Sequence, residues 1–354
     1  MSGSLLAETL RRIGPIDRDL ERAAQARLDS LAKPQGSLGR LEELARRVAA
    51  IQGRVPPRLG PKLLFVLAAD HGVTEEGVSA YAKEVTAQMV RNFLQGGAAV
   101  NVLGRHCGID IEVVDVGVDG DFGGIGGLRD CKLQRGTANF ARGPAMTRGQ
   151  ALGSLEVGIN LAREAARRNV FLLAAGDMGI GNTSSAAAVV CGLTSAAPAE
   201  IVGRGTGIDD TTLERKIAAI ESGLRLNRPD RDDPLDVLAK VGGLEIGAAA
   251  GLIIGAAALR LPLVLDGVIS TAAAMLATRL HPQAVEVLFA SHLSAERCHR
   301  LMLERLGLRP ILDLRMRLGE GTGACLAIGL IEAAVKIIVE MATFASAGVK
   351  EKVR

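Results

Sequence analysis

Five short aliphatic runs constrain this chain more than any other feature. They are 62–70 (KLLFVLAAD), 109–117 (IDIEVVDVG), 170–177 (VFLLAAGD), 261–267 (LPLVLDG) and 285–291 (VEVLFAS), and each stops in small or polar residues. Near-continuous aliphatic runs of this length suit strands covered on both faces, which is the habit of parallel sheets. The intervening stretches 84–103, 147–168, 211–224, 243–259 and 270–280 read as helices. Alternation of buried strands with helices predicts an α/β fold with a parallel sheet. Ligands of such sheets bind beyond the carboxyl ends of the strands. Asp70-His71-Gly72, Gly176-Asp177 and Asp266-Gly267 fall there.

Both ends of the chain read differently. In 37–52 the apolar residues Leu38, Leu41, Leu44, Ala45, Val48 and Ile51 follow a 3.6-residue period, with Ser37 as expected N-cap and Gly53 as stop. The stretch 324–345 reads as one long helix, with Glu332, Lys336 and Glu340 four apart on an exposed face. Helical ends around an α/β middle predict a small helical domain built from both termini.

Composition narrows the function classes. Of 354 residues, 43 are glycine, and aromatic residues make up only 2%. The core must therefore be aliphatic and closely packed. Few aromatics also argue against single-stranded nucleic-acid binding, which relies on stacking platforms. Lys and Arg number 42 against 39 Asp and Glu, a net charge of +3 without long like-charge runs. That leaves no electrostatic footprint for DNA or an anionic membrane. The N-terminal residues lack the apolar core of a signal peptide, and the longest apolar run, 246–259, falls short of the ~20 residues of a membrane span. Cys107, Cys131, Cys191, Cys298 and Cys325 are scattered without a C-x-x-C pair, so neither a metal site nor a disulfide framework is expected, and a reducing cytoplasm is.

Three glycine-rich segments carry the chemistry. Gly176–Ser185 (GDMGIGNTSS) follows an expected strand and precedes a helix-prone stretch. Its glycines allow close backbone approach, and the helix start offers free N–H groups to an anion. It lacks the Gly-Lys-Ser/Thr of a Walker loop and the Gly-x-Gly-x-x-Gly dinucleotide fingerprint. A tight strand-to-helix turn is the plainer reading. Gly203–Gly207 (GRGTG) precedes a helix carrying Lys216, which reads either as a phosphate contact or as part of a solvated face. For Arg204 the plainer reading is a surface ion pair. In Gly319–Gly323 (GEGTG), Glu320 is either a dipole partner at a helix start, with Thr322 as cap, or a general base on a closely approaching loop. His71 reads as a buried residue organising its loop, since the other histidines show no metal or triad spacing and no Gly-x-Ser-x-Gly elbow occurs.

Six segments in order resemble one family. Lys33–Glu42 (KPQGSLGRLE), Ala69–Val73 (ADHGV), Glu84–Met89 (EVTAQM), Gly176–Thr183 (GDMGIGNT), Gly203–Gly207 and Gly319–Gly323 are similar to the motifs of the nicotinate-nucleotide:dimethylbenzimidazole phosphoribosyltransferases. They run through nearly the whole chain. The resemblance implies a Rossmann-like parallel sheet flanked by helices, with residues 1–60 as the N-terminal part of a small helical domain. Residues 61–310 would form the α/β domain binding nucleotide and benzimidazole, and 311–354 the catalytic loop and C-terminal helix. It implies a cytoplasmic homodimer without cofactor or metal, acting on nicotinate mononucleotide and 5,6-dimethylbenzimidazole, with neither nucleic acid nor membrane as partner.

The resemblance also implies roles. Glu320 would be the base that takes the benzimidazole ring proton. Asp177, where some family members carry the longer Glu, would assist the base or orient the ribose. Gly176, Gly179, Gly181, Asn182, Thr183, Gly203, Gly205 and Lys216 would hold the nucleotide and its phosphate. Tyr81, Gln88, Met89, Leu318 and Gly319 would meet the benzimidazole. Tyr81 stands where other members carry a smaller residue. A non-catalytic binder of benzimidazole or its nucleotide, and a transferase of this fold acting on phenols or adenine, are the competing expectations. A dinucleotide-dependent oxidoreductase is disfavoured by the missing fingerprint.

Overall fold

The structure is a computed structural model, and it describes residues 4–205 and 207–350. All five aliphatic runs form strands, though three are shortened. They are β1 (Lys62–Ala69), β2 (Asp110–Gly117), β4 (Leu172–Met178), β5 (Leu263–Leu265) and β6 (Leu288–Ala290). Beyond Lys62 every residue of β1 is buried, the environment its uninterrupted aliphatic run requires. A sixth strand, β3 (Leu128–Asp130), was not expected, because three residues with a single apolar side chain leave no pattern to read. The first half of the last run, expected as strand, is wound into the 3-10 helix Pro282–Val287 instead.

Among the described residues the strands make one parallel sheet in the order β3-β2-β1-β4-β5-β6. From β1 the chain moves outward to β2 and β3. From β4 it moves the opposite way, to β5 and β6. The order thus reverses between β1 and β4, where the following loops diverge and leave a crevice.

Helices cover the sheet as the aliphatic composition demands. Leu244–Leu259 is buried almost throughout and packs on Arg148–Arg167. A Cβ on Gly158 would lie 1.9 Å from Ala248 O, so these helices meet backbone to backbone. Close approach of this kind supplies the packing density that a core poor in aromatics needs. The expected helix 84–103 is two helices, Val85–Gln95 and Ala99–Cys107, because Gly96 takes φ +77° and ends the first.

The chain ends meet. Ala32 N–H donates to Ala342 O at 2.9 Å, and Leu31 bridges Thr343. Arg40–Gln52 packs on Thr322–Glu340, which also reaches β4 and β5. One continuous apolar cluster runs from Leu6 to Ile338. The motif Lys33–Glu42 closes on itself through a buried ion pair, Lys33 Nζ to Glu42 Oε1 at 2.7 Å. Ser37 is not the N-cap. That place is taken by Gly39, with Ser37 in the preceding turn. Thr322–Glu340 is shorter than the expected 324–345 helix at its C-terminal end, and by length and composition it would suffice to cross a membrane. More than half of it is buried against the protein's own helices and sheet.

Candidate active site

The crevice at the β1/β4 reversal opens into a cavity of about 410 Å³. Each wall comes from a different strand end. Tyr81, Val85 and Met89 follow β1, Asp177 closes β4, and Gly267 to Ile269 follow β5. His292 and Ser294 follow β6, and the loop Arg317 to Glu320 completes the enclosure. The walls are largely apolar, with three carboxyl groups among them, those of Asp177, Glu296 and Glu320.

Two of these, Asp177 and Glu320, belong to the glycine-rich loops. Asn182 Nδ2 donates to Asp177 Oδ2 at 2.9 Å, while Oδ1 has no hydrogen-bond partner among the described residues. A Cβ on Gly319 would lie 3.4 Å from Asp177 Oδ2, so the loop carrying Glu320 passes directly beside that carboxyl. Burial pushes the Asp177 carboxyl well above its ordinary range, and the carboxyls of Asp266 and Glu245 push it the same way. Glu320 is 7% exposed. Burial raises its carboxyl as well, opposed by the backbone N–H of Val100 in the first turn of Ala99–Cys107. Its Oε2 has no hydrogen-bond partner among the described residues. Glu320 also holds φ +63°, which a non-glycine residue adopts only when its surroundings dictate it. Thr322 is not the helix cap expected from the sequence. The N-cap is Gly321, and the Thr322 hydroxyl donates to Gly319 O at 2.8 Å.

A narrow recess adjoins the cavity and shares Gly179, Asn182, Thr183 and Gly205 with it. At its end sits Lys216, 2% exposed, where an amphipathic reading allowed a solvated face. Its Nζ donates to Thr183 Oγ1 at 2.7 Å and approaches Gly203 O at 3.5 Å. Burial pulls the ammonium down to about 8. An ammonium beside the first turn of Asn182–Thr194 is suited to an anion. Beyond it, Arg204, Arg297 and Arg317 border a further hollow. Arg204 pairs with Asp210, as a surface ion pair should.

Behind the loop, His71 Nε2 meets Glu245 Oε1 at 2.8 Å and His71 Nδ1 meets Ser185 Oγ at 2.9 Å. The order Ser-His-Glu resembles a hydrolytic triad. Yet His71 and Ser185 are both 0% exposed and Glu245 1%, so no substrate reaches them. The His71 side chain lies under this loop, its ring against Gly179 and its Cβ against Gly181.

Most residues singled out in the sequence converge here. Asp177, Gly179, Asn182, Thr183, Gly205, Tyr81, Met89, Leu318, Gly319 and Glu320 line the cavity. Gly181 and Lys216 line the recess, and Gly203 borders the arginine hollow. Two residues are placed elsewhere. Gln88 faces solvent, because one residue's turn of the helix separates it from Met89. Gly176 is buried within β4, and a Cβ on it would lie 2.1 Å from Glu320 O. It meets the backbone of the glutamate loop. His292, Ser294, Glu296 and Arg317 line the cavity without having been singled out. The neighbourhood of His292, Ser294 and Glu296 carries no motif, and only the sheet brings the end of β6 to the site, whereas Arg317 lies just before the Gly319–Gly323 motif.

Comparison with known proteins shows the family and the fold. A family model described as phosphoribosyltransferase matches residues 13–349. A nicotinate-nucleotide:dimethylbenzimidazole phosphoribosyltransferase of Geobacter sulfurreducens is 58% identical over 348 residues, covering 98% of this chain and 99% of its own. One from Chloroflexus aggregans is 56% identical, covering 99% of each chain. The crystal structure of the Thermus thermophilus enzyme of that name superposes with a TM-score of 0.89 at 49% identity, covering 95% of this chain and all of that one.

Proposed function

We infer that this chain, which belongs to the nicotinate-nucleotide:dimethylbenzimidazole phosphoribosyltransferase family, moves the 5-phosphoribosyl group of nicotinate mononucleotide onto 5,6-dimethylbenzimidazole. The products are nicotinate and α-ribazole 5′-phosphate, which serves the lower ligand of cobalamin. The observation that carries the residue assignments is one cavity in which the Asp177 and Glu320 carboxyls stand in largely apolar walls, joined to a recess that ends in a buried ammonium.

The chemistry asks little of the protein. Nicotinate leaves C1′ as a pyridinium nitrogen, already cationic, so its departure needs no general acid. One benzimidazole nitrogen forms the new bond to C1′ as the old C1′–N bond breaks. The proton on the other nitrogen must then be removed, and a single carboxylate suffices. Attack opposite the leaving group inverts C1′ and gives the α anomer.

Glu320 takes that proton. Burial raises its pKa, which makes it a stronger base than an exposed carboxylate. Asp177 assists from the same cavity, with Oδ1 the oxygen left free to meet a substrate. Lys216 and Thr183 hold the phosphate, with Gly179, Gly181, Asn182, Gly203 and Gly205 shaping the recess. Tyr81, Met89, Leu318 and Gly319 cover the benzimidazole. Holding both rings on opposite sides of the ribose makes positioning a large share of the acceleration. The chain acts as a homodimer in the cytoplasm, where its five thiols stay reduced.

Incubation with both substrates, with nicotinate release followed by chromatography, tests this reading. Glu320→Gln should lose most turnover and still bind nicotinate mononucleotide in calorimetry. Full activity in that variant would refute the assignment of the base.

A further inference from the structure

Asp266 lies outside the cavity lining, is 1% exposed, and directs both carboxyl oxygens at the loop that carries Glu320. Oδ2 accepts from Gly321 N–H at 3.0 Å. Oδ1 accepts from Gly323 N–H at 2.8 Å and Ala324 N–H at 3.0 Å. The helix Thr322–Glu340 has no side-chain cap of its own, since its N-cap is Gly321. A carboxylate from the end of β5 supplies the cap across 55 residues of sequence.

The loop needs such a hold. Gly319, Glu320 and Gly321 take φ +85°, +63° and +98°, three left-handed residues in succession. For Glu320 that conformation persists only if the surroundings over-determine it. Two of the surrounding contacts act by exclusion alone. A Cβ on Gly176 would meet Glu320 O, and a Cβ on Gly321 would lie 2.5 Å from Leu64 Cδ1. Asp266 holds the loop by attraction, gripping the residues directly after the base. It is itself fixed: its N–H donates to Ser270 Oγ at 2.8 Å, and its carbonyl accepts from Ser291 Oγ at 2.8 Å.

We propose that Asp266 is a positioning residue for this reaction, holding the Gly319–Gly321 turn in its left-handed path so that the Glu320 carboxylate faces the acceptor nitrogen. This rests on Glu320 being the base. Asp266 touches neither substrate and acts through the loop. Its burial, which pushes the carboxyl up to about 7, is balanced in part by the three N–H donors.

The test is Asp266→Asn in the full-length chain, with Ser270→Ala as a milder probe. In Asp266→Asn an amide replaces one acceptor oxygen with a donor, leaving shape and volume nearly unchanged. Displacement of the base by about 1 Å lowers turnover on the order of 100-fold. The expected result is a fall in kcat of that size with KM for nicotinate mononucleotide near the parental value, because the Lys216 recess is untouched. Asp266→Asn should cost nothing further in a Glu320→Gln background. Ser270→Ala should show a smaller fall in kcat of the same kind.

Parental kcat in Asp266→Asn would overturn the proposal. So would a loss that multiplies on the Glu320→Gln background, or a rise in nucleotide KM that accounts for the whole effect. Should Asp266→Asn not fold, Ser270→Ala decides, and an unchanged kcat there overturns the proposal. Failure of the underlying reading looks different: Glu320→Gln itself would turn over at the parental rate.

Discussion

The ammonium of Lys216 lies 2.7 Å from the hydroxyl of Thr183, although the two belong to different helices, Asp210–Asn227 and Asn182–Thr194. The pair brings a buried cation to the start of a helix that follows a glycine turn. A phosphate bound there gains a charge-assisted hydrogen bond, worth about 1.5–3 kcal/mol. Lys216→Met should therefore raise KM for nicotinate mononucleotide by roughly 10–100-fold. The pH dependence follows from the same burial. Desolvation brings the ammonium down to about 8, so the empty site loses its charge as pH rises through that value. In the parent chain nucleotide KM should climb above pH 8, and in Lys216→Met it should stay level over the same range. A climb of equal size in both would remove Lys216 from the phosphate site.

Glu320 should be costly to stability where it is useful to chemistry. Its carboxyl is raised in the folded chain, chiefly by burial, above the unfolded value of roughly 4.3. Below the unfolded value both states are protonated and no penalty exists. As pH rises the unfolded chain ionises first, and the penalty on the folded state is complete once pH passes the folded pKa. Glu320→Gln removes the titration. Its melting temperature should exceed that of the parent more at pH 8 than at pH 5, as measured by calorimetry. Equal differences at the two pH values would show that Glu320 carries no such penalty.

Gly176 separates steric support from direct binding. The sequence places it in the glycine loop, and the structure places it one layer beneath, with Glu320 O 2.1 Å from where a Cβ would stand. Gly176→Ala must push the glutamate loop, at a typical overpacking cost of about 1–3 kcal/mol. Turnover should fall on the order of 100-fold with nucleotide affinity nearly kept, since the phosphate recess lies further along the chain. Loss of nucleotide affinity with intact turnover would restore Gly176 to the nucleotide site.

The contrast between Gly176 and Lys216 shows what the sequence carries and what it does not. Strands β1 and β4 were legible because burial on both faces demands an aliphatic run, and the glycine loops because close approach demands missing side chains. Their convergence followed from sheet topology, through the resemblance. Which way a residue faces was not legible. Gln88 and Met89 are neighbours in one motif, and helical rotation sends only Met89 into the cavity. Lys216 sits on a helix whose polar face meets another element, so its burial has no local signal. Asp266 was visible only as a strand end, because its partners Gly321, Gly323 and Ala324 are more than fifty residues away. Edge strand β3 is too short for any periodicity to mark.

Tyr81 bears on the choice of acceptor. It lines the cavity yet is 54% exposed, so its ring sits at the rim as a partial cover. Its backbone is held by the Ser79 hydroxyl, which accepts from Tyr81 N–H at 3.2 Å. An aromatic cover over an aliphatic cavity favours an acceptor with methyl groups, which stay wetter without it. Burying one methylene-sized group is worth about 0.8 kcal/mol, or roughly fourfold. Tyr81→Ala should lower kcat/KM for 5,6-dimethylbenzimidazole relative to unsubstituted benzimidazole by roughly fourfold to tenfold, with the nucleotide held saturating. KM for nicotinate mononucleotide should not move, because the Lys216 recess does not include Tyr81. If the ratio of the two acceptors stays constant while both rates fall together, the ring serves the loop's conformation and not the selection of the base.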